Sequence, residues 1–160
     1  MIEPYESITI RRGTTARVVC SVVREEPIDY RVDTATNALR YRHDRIVNDP
    51  TIEPEKENVI VILNDTRGLP IAWSLVSVGT LDEALVHPRE VLRPAIMCGA
   101  KSFVLLHNHP SGDPMPSRTD DLLTRRIGEA ATLMGIRLSD HVVVGGRGKY
   151  YSYQESGMIA

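Results

Sequence analysis

His107 and His109 stand two residues apart, directly after the apolar run SFVLL at 102–106. An extended backbone sends the side chains of residues i and i+2 to the same side, so both imidazoles can share one metal ion. A tetrahedral catalytic zinc takes a third protein ligand and keeps one position open for water, and carboxylate oxygen beside imidazole nitrogen suits that ion. Asp120 can supply the oxygen from the first turn of a helix that opens after the loop HNHPSGDPMPS. Taken singly, these residues have plainer readings. A His-x-His pair is usually two loop histidines, and Ser117 with Asp120 has the Ser-x-x-acid spacing of a helix capping box. Their combination in one short segment, between an apolar strand and a helix, favours a metal site. Capping is compatible with it, because a carboxylate has two oxygens.

For these residues to meet, SFVLL must be a strand and the segment beyond the loop a helix. RTDDLLTRRIGEAATLMG places Leu123, Ile127, Ala130 and Met134 on one face and Arg125, Arg126 and Glu129 elsewhere, and ends at Gly135, which predicts a helix over 118–134. VIVIL at 59–63, the turn DTRGLP and then IAWSLVSVG predict a strand-turn-strand unit. Their continuous apolar runs suit a central sheet covered on both faces. HVVVGG and KYYSY predict two closing strands about a glycine turn. Upstream, SITIRRGTTARVVCSVV at 7–23 reads as a hairpin pivoting on Gly13. Residues 34–48, where Ala38, Tyr41, Arg42 and Ile46 recur at helical spacing, read as a helix capped by Thr34 or Thr36. Residues 81–98 read as helical, with Pro88 suited to the first turn and Pro94 bending or restarting the helix. Strands and helices in this order predict an α/β fold. The metal would lie at the sheet edge, where strand 102–106 meets helix 118–134.

The 160 residues, 42% hydrophobic and 25% charged, suit one globular domain and exclude a disordered or collagenous chain. A net charge of −2 and a pI near 6.2 give no general attraction to phosphate. Arg11, Arg12 and Arg17, with Arg40, Arg42 and Arg45, could form a local basic face for weak DNA association, and read more simply as solvated arginines. Cys20 and Cys98 form no CxxC pair, so neither a disulfide framework nor a thiolate zinc site is expected, and a cytoplasmic location fits. MIEPYES lacks the basic-then-apolar pattern of a leader, and the apolar runs are too short to span a bilayer, so no membrane is expected. Strand edges near 7–23 could pair between chains; nothing in the sequence fixes the oligomeric state.

These residues resemble the JAMM, or MPN-plus, metalloproteases, whose signature is an upstream Glu followed by His-x-His, seven residues, Ser, two residues and Asp. Here the pattern falls on His107, His109, Ser117 and Asp120. The surrounding VHPREVLRPA, LLHNHPSGDPMPSRTD and LSDHVVVGGRGKYYSY are similar, more narrowly, to the RadC-like branch of bacterial and prophage proteins. The resemblance covers roughly the last two thirds of the chain. It implies a three-layer α/β/α domain of the JAB/MPN type, related to cytidine deaminases, with a central mixed sheet. The core would run over 31–160, with 1–30 as a β-hairpin extension. It also implies one zinc ion, and hydrolysis of a peptide or isopeptide bond in a peptide or protein substrate.

EKENVIVIL puts Glu57 at the position of the upstream Glu, the general base of the resemblance, with Glu53 and Glu55 as nearby competitors. Without the downstream ligands Glu57 reads as a solvated strand-flanking acid. Ser117 would donate its hydroxyl to the developing oxyanion. His87 and His141 lie in segments similar to the family but have no ligand spacing, and core or ligand-supporting places are expected for them. His43 reads as a surface residue. Full-length RadC proteins begin with a helix-hairpin-helix-like segment for which this chain has no room, which weakens any expectation of DNA binding.

The letters His107-Asn108-His109 do not make an HNH nuclease, whose residues are scattered over a hairpin and helix. A nucleobase deaminase needs His-x-Glu and Pro-Cys-x-x-Cys, and neither is present. Two other readings remain alongside the hydrolase: a metal-dependent nuclease in DNA repair, and a non-catalytic interaction module on an MPN scaffold.

Overall fold

The computed structural model describes residues 28–79 and 86–159. The expected hairpin at 7–23 and nearly all of the 1–30 extension lie outside the described residues, as do residues 80–85. In chain order the elements are α1 (Ala35–Tyr41), which runs on into a π-helical turn at Arg42–Ile46, β1 (Asn58–Asn64), β2 (Pro70–Val78), α2 (Pro88–Met97), β3 (Ser102–Asn108), α3 (Arg118–Leu133), β4 (Arg137–Val144) and β5 (Tyr150–Ser152). The strands form one sheet in the order β2-β1-β3-β4-β5. It is mixed: β3 and β4 are parallel and the other neighbours antiparallel. A parallel pair needs a long crossover, and here α3 supplies it.

The alternation of side chains along β1 and β3 assigns each residue to a layer. Odd positions Val59, Val61, Leu63, Phe103 and Leu105 pack with Val91, Leu92 and Ala95 of α2 and with Ile127 and Ala131 of α3. Even positions Ile60, Ile62, Val104 and Leu106 pack with Ala35, Ala38, Tyr41 and Ile46 on the opposite side. All seven residues of β1 are buried, as the apolar run requires when both faces are covered. Each of the buried Val, Leu, Ile and Phe side chains contributes about 1.5–3 kcal/mol by leaving water. The expected three-layer α/β/α architecture is the one observed.

Local signals set most element ends. Thr34 caps α1, its hydroxyl accepting from Asn37 N–H at 3.3 Å. Pro88 opens α2 as expected. Gly135, at φ 70°, follows the last turn of α3 in the left-handed conformation that ends helices. The expected helix start is corrected, since Val86 and His87 precede the helix; of the two effects expected of Pro94, the restart does not occur, and α2 continues through it. Burial of Val91, Leu92 and Ala95 against the sheet offsets the hydrogen bond that proline removes, a loss of about 3 kcal/mol in an isolated helix. Arg40, read from the sequence as a solvated arginine, lies with its guanidinium over the Tyr30 ring at 4.1 Å and pairs with Asp44 at 3.7 Å.

Candidate metal centre

The same parity that builds the core builds the site. His107 continues the odd face of β3 past Leu105, toward the layer that holds α3. In the antiparallel register Val59 lies across from His107, so Glu57, two residues earlier, comes to lie across from His109. The loop after β3 then turns the chain into α3, whose third residue is Asp120. The site therefore stands at the carboxyl end of β3, where ligands gather in open α/β sheets. β3 is the middle strand of the five, so the centre sits at strand ends and not along a lateral edge strand.

One ligand atom from each of Glu57, His107, His109 and Asp120 lies within 4.8 Å of every other. His107 Nε2 is 3.0 Å from His109 Nε2 and 3.4 Å from Asp120 Oδ1, and His109 Nε2 is 3.6 Å from Asp120 Oδ2. Donors about 2.0–2.2 Å from a tetrahedral ion stand about 3.3 Å from one another, so the spacing matches a shared ion. Proton placement agrees. His109 Nδ1 is 2.8 Å from the Asp113 carbonyl, which only accepts, so Nδ1 carries a proton and Nε2 is the ring nitrogen turned toward the others, the one a metal would take. A lone pair and a carboxylate facing one another without an intervening proton suit a cation.

Asp120 divides its work. Oδ2 accepts from Ser117 N–H at 2.7 Å and from the Ser117 hydroxyl at 2.6 Å, while Ser117 Oγ accepts from Asp120 N–H at 3.2 Å. This is the capping box expected from the spacing, and it holds the carboxylate at the helix start with Oδ1 toward His107. The Ser117 hydroxyl is thus engaged with Asp120, beside the cluster. Glu57, half-buried, is placed by the asparagines that follow and face it. Asn58 Nδ2 donates to the Glu53 and Lys56 carbonyls at 2.7 and 2.8 Å, and Asn108 Oδ1 accepts from Asn58 N–H at 3.0 Å. The loop bearing His109 is docked as well: His109 N–H donates to Val144 O and Gly146 N–H to Gly112 O. Gly145 permits this approach, since a Cβ there would stand 2.7 Å from Gly112 O.

Burial keeps the inner rings neutral. It lowers the His107 pKa to about 4, with Asp120 opposing and His109 adding to the fall. Fully buried His141, whose Nε2 is 2.7 Å from His107 Nδ1, is lowered well below 6.5 by burial, then by the two histidines. Groups depressed in the folded state contribute stability above their unfolded pKa and lose it as pH falls. The metal-free chain is therefore expected to weaken as pH drops from about 6.5 toward about 4, by up to about 1.4 kcal/mol per pH unit for each ring. Urea midpoints at about pH 7.5 and about pH 5 check this; equal midpoints would mean the buried rings accept protons without penalty.

The family model of the RadC-like JAB domain matches residues 32–158. The chain belongs to that family. Among similar proteins, a UPF0758 protein of Thermotoga maritima is 39% identical over 134 residues, which is 84% of this chain and 57% of the relative. One from Rubrobacter xylanophilus is 48% identical over 105 residues, 66% of this chain and 45% of the relative. One from Methanosarcina barkeri is 40% identical over 107 residues, 67% of this chain and 46% of the relative. The chain spans about half the length of the curated relatives it matches.

Within this RadC-like JAB domain the structure gathers Glu57, His107, His109 and Asp120, with Ser117 bonded to the last of them. Glu53 is drawn elsewhere, paired with Lys56 at 2.7 Å. His87 is corrected: it is exposed and caps α2, its Nδ1 accepting from Arg89 N–H at 3.4 Å. Sequence reasoning missed Thr124, Asn58 and Asn108, which act across the fold, and the Asp113 carbonyl, a backbone group of the His109 loop that carries no motif spacing. Among the described residues no helix is long and apolar enough to cross a membrane.

Proposed function

We propose that this domain is a zinc-dependent hydrolase of peptide or isopeptide bonds, with His107, His109 and Asp120 as the metal ligands, Glu57 as general base and Ser117 as a hydrogen-bond donor to the reacting carbonyl. The observation that carries the reading is the convergence of two imidazole Nε2 atoms and a carboxylate oxygen at 3.0–3.6 Å, with a second carboxylate in the same cluster. When bound, the zinc lowers the pKa of a water molecule toward neutrality and polarises the substrate carbonyl.

The chain's own residues do the rest. Glu57 stands in the same cluster outside the three-ligand set, where its carboxylate would take a proton from the attacking water and pass it to the leaving nitrogen. Ser117 would turn its hydroxyl from Asp120 toward the developing negative charge, while its backbone N–H keeps the carboxylate in place. The buried flank at His107 and the more open flank at Glu57 let water and substrate approach from one side. The other reading, a metal-dependent nuclease in DNA repair, draws no support from the printed names of the family model or of the relatives.

Metal content of the wild type and of His109→Ala, read by elemental mass spectrometry, tests the ligand set. About one zinc per chain in the wild type and little in the variant is the expected result, from a three-ligand site. No zinc in either removes the reading. Assays of the loaded protein on peptide, isopeptide and nucleic-acid substrates then separate the proposed hydrolase from a nuclease.

A further inference from the structure

Thr124 is buried one helical turn beyond Asp120, with its hydroxyl 2.6 Å from the Asp120 carbonyl and 2.6 Å from His141 Nδ1, and near the Tyr153 hydroxyl as well. A hydroxyl has a single proton to give, and a carbonyl oxygen can only receive. The Thr124 proton therefore goes to Asp120, which leaves Oγ1 to accept from His141. His141 then carries its proton on Nδ1 and offers a bare Nε2. Facing that nitrogen at 2.7 Å is His107 Nδ1, which must be the donor. His107 accordingly enters the cluster with an unprotonated Nε2, the atom 3.0 Å from His109 and 3.4 Å from Asp120. The ring of His141 is held in plane by Tyr153, stacked at 4.9 Å and 6°, whose own hydroxyl donates to Asp121 Oδ1 at 2.8 Å.

We propose that Thr124 is a positioning residue that selects the metal-binding tautomer of His107 through His141, in a circuit that starts at the Asp120 carbonyl and returns to the Asp120 carboxylate. Turning the hydroxyl round shows what is selected against. If Thr124 donated to His141 Nδ1, His141 would donate from Nε2 to His107 Nδ1, and His107 would carry its proton on Nε2, aimed at His109 where an ion would sit. The open and blocked patterns thus differ by the Thr124 hydroxyl rotation together with a shift of one proton from Nδ1 to Nε2 on each of His141 and His107. The Asp120 carbonyl favours the first pattern, because the alternative would leave two acceptors facing each other at 2.6 Å; the first pattern leaves the bare Nε2 atoms of His107 and His109 facing each other at 3.0 Å, a repulsion that a shared cation would relieve. Coupling through the ring also makes the two sides of Asp120 interdependent: its main chain sets the proton pattern of the histidine that shares a metal with its side chain.

The inference rests on His107 being a metal ligand, and the test separates the two. Zinc affinity by chelator competition is measured on the full chain as wild type, Thr124→Ser and Thr124→Val, and the ring-nitrogen tautomer of His107 is read in each metal-free protein by long-range proton–nitrogen NMR. Thr124→Ser keeps the hydroxyl and is expected to bind within about twofold of wild type with His107 protonated on Nδ1. Thr124→Val matches the volume without the hydroxyl, and is expected to weaken zinc by about 10–100-fold, the usual effect of removing a partner that orients a ligand, with proton appearing on His107 Nε2. A wild-type His107 already protonated on Nε2, or a valine variant with unchanged tautomer and affinity, overturns the inference. A wild type that shows the expected tautomer and its dependence on Thr124 but binds no zinc would uphold the circuit and overturn the metal reading.

Discussion

Glu57→Gln is expected to retain about one zinc per chain and to lose about 10²–10⁴-fold in turnover, the range that a positioned general base contributes. Glutamine preserves the shape of the side chain and removes its ability to take a proton, so the variant isolates the base from the scaffold around it. The zinc should stay because His107, His109 and Asp120 are untouched, and three protein ligands with one open position suffice for a catalytic ion. The position of residue 57 should stay too. Its backbone is held by the Asn58 side chain on the Glu53 and Lys56 carbonyls and by Asn108 across the strand pair. Elemental analysis and single-turnover rates on a peptide substrate report the two quantities separately. Loss of zinc would move Glu57 into the ligand set, and full turnover without it would require another base.

How far the sequence could be read depends on how local each device is. The His-x-His pair and the Ser-x-x-Asp spacing are visible because strand geometry and helix capping act within a few residues, and both arrangements appear in the structure. The layering was equally legible: runs such as VIVIL demand a sheet covered on both faces, and the odd and even residues of β1 part into the two cores. What stayed hidden is what tertiary contact decides. Nothing in the letters around Thr124 says that its hydroxyl meets His141 from β4, or that the Asp113 carbonyl will face His109 Nδ1. His87 shows the reverse failure. A histidine before proline in a family-like segment invites a role near the ligands, but its place is set by the backbone N–H groups that a helix start leaves open. At Pro94 the helix continues where a restart was one expectation, because the packing of Val91, Leu92 and Ala95 offsets the lost hydrogen bond.

Asp120 carries the second large effect, since one carboxylate is asked both to cap α3 and to face the histidines. Asp120→Ala should lose zinc, by more than about 100-fold in affinity, because removing a partner that merely orients a ligand already costs 10–100-fold. It should also destabilise the metal-free chain by about 1 kcal/mol, the usual cost of a lost cap, because Ser117 N–H and the Ser117 hydroxyl both lose their acceptor. Asp120→Asn splits these consequences. An amide oxygen can still accept from Ser117, so most of the capping stability should survive, whereas the negative charge that balances a divalent ion beside two neutral imidazoles is gone. Zinc affinity should therefore fall in both variants, and the urea midpoint of the metal-free protein mainly in the alanine one. Chelator competition and urea titration on the same preparations measure the pair of effects. If the alanine variant is destabilised yet keeps its zinc, the carboxylate serves the helix alone and the third ligand must be sought in Glu57, the remaining carboxylate of the cluster.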